Sequence, residues 1–103
     1  MDLGQVTIES IKPYVGTTFE VALTDGQSVQ LKLDEALTYD LPQRRQRAKA
    51  KREPFSLYFV GDPGVILPQA MYTLRSEALT LENLFIVPVA NDGEVTEYEA
   101  IFT

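Results

Sequence analysis

The chain has 103 residues, of which 45% are apolar, enough to form the core of one domain. It contains no cysteine and no histidine, which excludes disulfides and thiolate metal sites and removes the commonest general base and transition-metal ligand. The net charge of −6 is unevenly distributed, because residues 44–52 hold six of the nine basic side chains and no acid, whereas the rest of the chain carries −12. This separation favours binding to anionic partners, and a second copy of the chain is one of them.

Neither the N-terminal residues nor the apolar stretches of the sequence indicate a membrane protein. Residues 1–5 lack the basic start and apolar run of a signal peptide. The longest unbroken apolar stretch, residues 84–90, is much shorter than a membrane span. The sequence therefore predicts a soluble, cytoplasmic protein that does not bind membranes.

The first elements form a short turn and a hairpin. Thr7 is suited to cap a helical turn that Pro13 would end. Apolar residues then alternate with polar ones over residues 19–24 and 29–34, on either side of Asp25-Gly26. This dipeptide predicts a β-hairpin with a two-residue type I′ turn.

The second strand continues past this hairpin. Leu37 and Tyr39 keep the alternation of the preceding apolar residues, so we expect them on the same face. Asp34 and Glu35 are adjacent, and neighbours in a strand point to opposite faces, so they should not form a catalytic pair. Glu35 would then share the face of Leu37, which predicts a barrel rim or a bulge there.

Four further strands are predicted. Residues 54–60 are apolar on both faces, which indicates a central or covered strand, and residues 61–64 form a turn. Residues 70–75 give the fourth strand, and residues 79–89 give the fifth, with a bulge near Asn83 and Pro88 at an edge or bulge. Asn91-Asp92-Gly93 is a second hairpin signal, and residues 95–102 form the sixth strand.

Together these elements predict an all-β fold in a single domain, residues 1–103. About six antiparallel strands would form a meander, closed into a small barrel or packed as a two-layer sandwich, after a short N-terminal helical turn. A long basic loop, residues 40–54, joins the second and third strands. The predicted core is Phe19, Val21, Leu31, Leu57, Phe59, Tyr72, Leu74, Phe85, Val87 and Phe102.

The basic loop is the most distinctive candidate site. Its residues for contact with a partner or an anion are Arg44, Arg45, Arg47, Lys49, Lys51 and Arg52. Nucleic acid is not favoured, because the run contains no aromatic residue for base stacking and the acidic remainder repels phosphate. We expect the loop to be solvated or to pack on acidic surface, of its own domain or of a neighbouring copy.

No constellation for catalysis or metal binding is evident. Residues 91–94, with Glu97 and Glu99, offer oxygen ligands for calcium, but an ordinary hairpin turn explains them better. No base, nucleophile and oxyanion donor converge. We therefore predict no catalytic, metal or cofactor-binding residue and a protein that is not an enzyme. The aromatic residues could line a ligand cavity inside a barrel. Six strands enclose little room, however, so we expect the aromatic side chains to fill the interior.

Four motifs resemble an uncharacterised bacterial family of unknown function. They are PFSLYF (54–59), LPQ (67–69) followed by Tyr72, LFIVPV (84–89) and YEAIF (98–102). The resemblance covers nearly all the chain except the basic loop, and it implies β-structure and no catalytic residues. It also implies that some members occur beside tail-fibre or collar-like proteins of phage-derived systems, so that incorporation into a phage-like assembly is an alternative to a free cytoplasmic protein.

Three functions follow in order of preference. The first is a non-enzymatic structural or interaction module, accessory to a phage-tail-like or surface assembly, with a protein partner or a homo-oligomer. The second is a small-ligand-binding β-barrel. The third is binding of an anion or nucleic acid through the basic loop.

Overall fold

The computed structural model describes residues 3–38 and 54–102. The six basic residues predicted to contact a partner therefore lie outside the described residues, as does Tyr39. The helical elements are a 3-10 turn at Leu3–Gln5, helix α1 at Ile8–Ile11 and a second 3-10 turn at Lys12–Tyr14. The strands are β1 (Thr18–Ala22), β2 (Ser28–Thr38), β3 (Phe55–Gly61), β4 (Ala70–Arg75), β5 (Thr80–Asn91) and β6 (Thr96–Phe102).

The predicted all-β fold is confirmed. The six strands form a closed antiparallel barrel in the order β1-β2-β3-β6-β5-β4, with β4 returning to β1. Each half, β1-β2-β3 and β4-β5-β6, is a meander in chain order, and the halves join through β3–β6 and β1–β4. The spatial order β4-β1-β2-β3 is that of a Greek key.

The N-terminal turn forms as predicted. The Thr7 side chain accepts from the Ser10 backbone N–H, and the Ser10 hydroxyl accepts from the Thr7 N–H, which is a reciprocal capping box. Pro13 lies in the 3-10 turn that follows α1, where its missing N–H costs no helical bond. Ile8 and Ile11 are buried in the barrel core, so the cap fixes a segment that contributes to packing.

The Asp25-Gly26 hairpin is present, but its turn is not type I′. The Gly26 N–H donates to the Leu23 carbonyl (3.2 Å) and the Leu23 N–H to the Gln27 carbonyl (2.7 Å), which leaves a three-residue loop. Only Gly26 has a positive φ in this turn (86°), whereas type I′ requires two such residues. Asp25 instead accepts from the Gln27 N–H through its carboxylate.

A bulge in β2 reverses the expected side of Leu37. Leu33 pairs with Phe59 and Glu35 with Tyr58, so Asp34 is the extra residue. The interior position after Leu33 is consequently Ala36, and Leu37 lies on the outer surface, 45% exposed. The expected common face of Leu37 with the interior residues is wrong, and Asp34 and Glu35 are both exposed rather than on opposite faces.

A bulge in β5 has the same effect on the predicted core. Leu74 pairs with Leu81 and Tyr72 with Leu84, so two residues of β5 lie opposite Thr73. Asn83 occupies this bulge at a φ of 53°, where the sequence predicted one. The interior positions are therefore Leu84 and Ile86, and the prediction that Phe85 and Val87 lie in the core is wrong. A second β5 irregularity directly follows Pro88, as its missing donor led us to expect.

The remaining core prediction is confirmed, apart from Tyr72, which is half-buried against the core. Phe19 and Phe59 meet edge to face with ring centroids 6.1 Å apart, and Phe55 stacks on Phe102 at 4.6 Å. The other predicted residues that are buried are Val21, Leu31, Leu57 and Leu74. These side chains fill the middle of the barrel.

The connection from β3 to β4, residues 62–69, covers the barrel end at which β3 finishes. Tyr98 anchors it from inside, because its hydroxyl accepts from the Leu67 N–H (2.9 Å) and donates to the Val65 carbonyl (3.3 Å). The Thr96 hydroxyl also lies 3.3 Å from that carbonyl, and Asn91 donates to the Pro63 carbonyl. This network closes the end of the barrel without a strand.

Candidate interaction surface

Closure of the barrel restricts how it can bind another protein. The six described strands close into a barrel, and strand edges remain along short stretches such as residues 34–38 of β2 and residues 70–73 of β4, which lack a partner on the β1 side. Most of the surface that another protein could contact therefore consists of outward-facing side chains and loops.

The outer surface around β3 combines apolar and charged residues in three rows. Pairing across β2, β3 and β6 aligns Leu37, Ser56 and Ile101 in the first row, Glu35, Tyr58 and Glu99 in the second, and Lys32, Val60 and Glu97 in the third. We call these nine residues the β3 outer face. They carry three carboxylates and one ammonium group.

Apolar side chains occupy one end of this face. Leu37 is 45% exposed and Ile101 is 60% exposed, although both are long aliphatic residues. Ser56 lies between them and is only 2% exposed, so the strand is covered there, as its apolar sequence predicted. Thr38 and Phe55 are paired next to this row, so the basic loop, residues 40–54, is attached to the barrel beside it.

Tyr58 is the centre of the face. Its hydroxyl donates to Glu99 Oε2 at 2.8 Å, and this hydrogen bond, with smaller effects of burial and of the Glu99 charge, raises the pKa of Tyr58 above its usual value. Glu35 is the β2 partner of Tyr58 on the other side. Tyr58 thus lies between Glu35 and Glu99. Its phenol stays protonated and holds the Glu99 carboxylate in place.

A second exposed apolar pair lies on β4 and β5. Met71 and Phe85 are direct partners and are 66% and 47% exposed. Phe85 is two residues from Val87, which pairs with Glu99. The apolar surface thus continues from the β3 outer face towards β4. The sequence did not predict this continuation, because Phe85 was assigned to the core.

One surface cleft is relevant to the alternative that the barrel binds a small ligand. A cleft of about 590 Å³ lies between the β1–β2 turn and residues 67–73. Tyr72 lines it and donates to the Pro68 carbonyl at 2.7 Å, while burial raises the pKa of its phenol. This cleft is separate from the aromatic residues inside the barrel, which pack against one another.

The turn that was weighed as a calcium site is an ordinary hairpin. The Asp92 carboxylate accepts from the N–H groups of Glu94 and Val95, and these bonds lower the pKa of Asp92. Asn91 accepts from the Gly93 N–H, so both side chains already serve the turn itself. Residues 3–38 and 54–102 contain no group of three acidic residues placed to hold a metal ion.

Sequence reasoning missed most of the β3 outer face. Glu97 and Glu99 were noticed only as calcium ligands, and Leu37 was assigned to the interior. The signal that could have found Tyr58 was the third strand itself, because apolar residues on both faces imply that its outer side is also covered. Register decides which residues meet there, and register does not follow from β3 alone.

The fold defines a small, closed six-stranded β-barrel domain with a mixed apolar and acidic outer face. The chain belongs to the family described as Domain of unknown function (DUF6916), which matches residues 6–102. This confirms the resemblance to an uncharacterised domain family. No curated protein and no solved structure matches the chain. In the part of the chain that the structure describes, no helix is long and apolar enough to cross a membrane.

Proposed function

We propose that this domain is a non-enzymatic interaction module that binds another protein through the β3 outer face. The observation that carries the proposal is the exposure of Leu37 and Ile101 beside a tyrosine and three carboxylates. Aliphatic side chains next to oriented polar groups are the composition of a protein interface, where the apolar part supplies affinity and the charges supply specificity. The setting we propose, on resemblance alone, is a phage-tail-like or surface assembly.

The same residues give little support to catalysis. Glu35, Tyr58 and Glu99 lie side by side on the outside of a sheet, and Glu35 is exposed to solvent. Tyr58 has a raised pKa, so even less phenolate is available at neutral pH to act as a base or nucleophile than in an ordinary tyrosine. Water has free access to Glu35, and a reaction centre normally requires its exclusion.

A photoreactive amino acid can test the proposed surface in cells. A photoreactive phenylalanine analogue is placed at Ile101, and the matched control carries it at Glu20, an exposed position of β1. We expect a discrete cross-linked protein from position 101 that is absent from position 20, and far-UV circular dichroism should show both variants folded. If positions 101 and 37 both give no discrete product, the β3 outer face is not an interaction surface.

Binding of a small ligand is the second candidate, and the cleft beside Tyr72 favours it. Its volume of about 590 Å³ falls in the usual range of ligand sites. A fragment screen by nuclear magnetic resonance should then shift resonances of Tyr72 and Met71 and not those of Ile101. Saturable shifts at Tyr72 with no cross-linking from Ile101 would favour this candidate over the interaction module.

A further inference from the structure

We propose that the β3 outer face binds the basic segment, residues 44–52, of a second copy of this chain, and that two copies exchange this contact in a symmetric dimer. The inference rests on the proposed function, because it names the partner of the same face. It draws on the charge of the face, on where the segment is attached and on what remains exposed within one chain.

Charge complementarity is the first argument. The face presents Glu35, Glu97 and Glu99 against a single cation, Lys32. The segment carries six cations and no acid, while the remainder of the chain carries −12. Two copies therefore repel each other through most of their surface, and only contact between the segment and an acidic face reverses the sign.

The point of attachment is the second argument. The connection that contains the segment starts after Thr38 and ends at Pro54, and both residues are next to the Leu37 row of the face. Arg44 is six positions past Thr38, and six extended residues span up to about 20 Å. Both ends of this connection are attached beside the acceptor face, and a two-fold axis that places one segment on the partner's face places the other segment likewise.

The exposed apolar residues add to the case for a second copy. Leu37 and Ile101 are 45% and 60% exposed, so this end of the face offers apolar surface that a second molecule can bury. In a face-to-face dimer these residues approach their counterparts on the partner, which adds apolar contact to the ion pairs. Exposed ion pairs alone contribute little, so this apolar contribution matters.

The size of the face sets the expected strength. Three strands about 4.8 Å apart and three rows about 7 Å apart cover about 300 Å². A standard interface buries roughly 800 Å² per partner. The dimer should therefore be weak and reversible, in the micromolar range or above, and sensitive to salt.

Sedimentation of the full chain tests this directly. At low ionic strength we expect a monomer–dimer equilibrium, weakened at least about tenfold between 50 and 500 mM salt. The face variant, Glu35→Gln with Glu97→Gln and Glu99→Gln, should weaken the dimer at least about tenfold. The matched control, Glu20→Gln with Glu77→Gln and Glu82→Gln, removes the same charge elsewhere and should not.

A complementation experiment identifies the two partners. The segment variant carries serine in place of Arg44, Arg45, Arg47, Lys49, Lys51 and Arg52. Each variant alone should dimerise at least about tenfold more weakly than the parent, but a mixture of the face variant and the segment variant keeps one intact contact, because the first supplies the segment and the second the face. We expect the mixture to form heterodimers that are weaker than the parental dimer and stronger than the homodimer of either variant.

Several outcomes would overturn the inference. The inference fails if the parent is monomeric at all salt concentrations. It also fails if the face variant dimerises as strongly as its control. Loss of dimerisation in both variants without heterodimers would place the segment on its own chain or elsewhere. Segment-dependent binding of duplex DNA by a monomeric parent would assign the segment to nucleic acid. If the dimer is absent but Ile101 cross-links to another protein, the proposed function stands and only this inference fails.

Discussion

The most specific prediction of the fold concerns the Tyr98 hydroxyl. Tyr98 is 1% exposed and holds the connection between β3 and β4 over the barrel end. The Tyr98→Phe substitution keeps the ring and removes both hydrogen bonds. The Leu67 N–H loses its acceptor in a buried position, whereas the Val65 carbonyl keeps the Thr96 hydroxyl nearby.

These contacts set the magnitude. An unsatisfied buried N–H costs about 1–3 kcal/mol. The lost bond to Val65 adds less, because the Thr96 hydroxyl, whose single proton is shared between the carbonyls of Asp62 (3.2 Å) and Val65 (3.3 Å), can turn to the Val65 carbonyl. We therefore expect the free energy of unfolding to fall by about 1–3 kcal/mol. For a domain of this size each 1 kcal/mol lowers Tm by about 4–8 °C.

Urea unfolding followed by far-UV circular dichroism measures the loss, and the m-value should not change. Tyr58→Phe is the matched control, because it also removes a hydroxyl with a hydrogen bond, but on the outer surface, where we expect a loss below about 1 kcal/mol. Hydrogen exchange should show that the Leu67 amide loses protection in Tyr98→Phe alone. A loss at Tyr98 no larger than that at Tyr58 would refute the reasoning.

Three further predictions test the core and the outer face. Phe59→Ala should lower the free energy of unfolding by about 3–5 kcal/mol, because Phe59 is fully buried, and a loss below roughly 1 kcal/mol in urea unfolding would contradict this core. Gly61→Ala should cost about 1–3 kcal/mol in the same assay, since its Cβ would lie 2.7 Å from a methyl group of the buried Leu31; an unchanged stability would show that Leu31 yields easily. Tyr58 has a raised pKa in the folded state, so its contribution to stability is complete below pH 10, the ordinary value, and is lost as the pH rises through the folded pKa. Glu99→Gln should lower the pKa of Tyr58 and so move part of the tyrosinate absorbance titration to lower pH, and no shift would contradict the role of this hydrogen bond.

Local chemistry explains which parts of the fold the sequence predicts. The Thr7 cap and the Asp25-Gly26 and Asp92-Gly93 turns are visible because each depends on residues within a few positions of one another. The strands follow from alternation, which also needs only neighbours. The type of turn at Asp25 is harder to predict from the sequence, since the choice between two and three loop residues depends on how the flanking strands pair.

Non-local pairing accounts for what the sequence does not predict. The β3–β6 and β1–β4 contacts join residues far apart in the chain, and no local pattern specifies them. The two bulges change the side of Leu37, Phe85 and Val87, because one extra residue exchanges inside and outside for all that follows. The bulge near Asn83 was predicted, and a bulge at Glu35 was one of the two alternatives for β2, yet the consequence of each for the residues after it was not carried through.

The bulge at Asp34 connects the fold with the proposed interface. Without an extra residue, the alternation that buries Leu31 and Leu33 would continue and bring Glu35 and Leu37 into the barrel, which could not bury an unpaired carboxylate at acceptable cost. With it, Ala36 takes the interior position, and both Glu35 and Leu37 reach the outer surface. Glu35 then lies opposite Tyr58, and Leu37 lies beside the attachment of the basic segment. One inserted residue thus solves a packing problem inside the barrel and, by the same change of phase, places a carboxylate and an aliphatic side chain together on the face where we infer that a second copy binds.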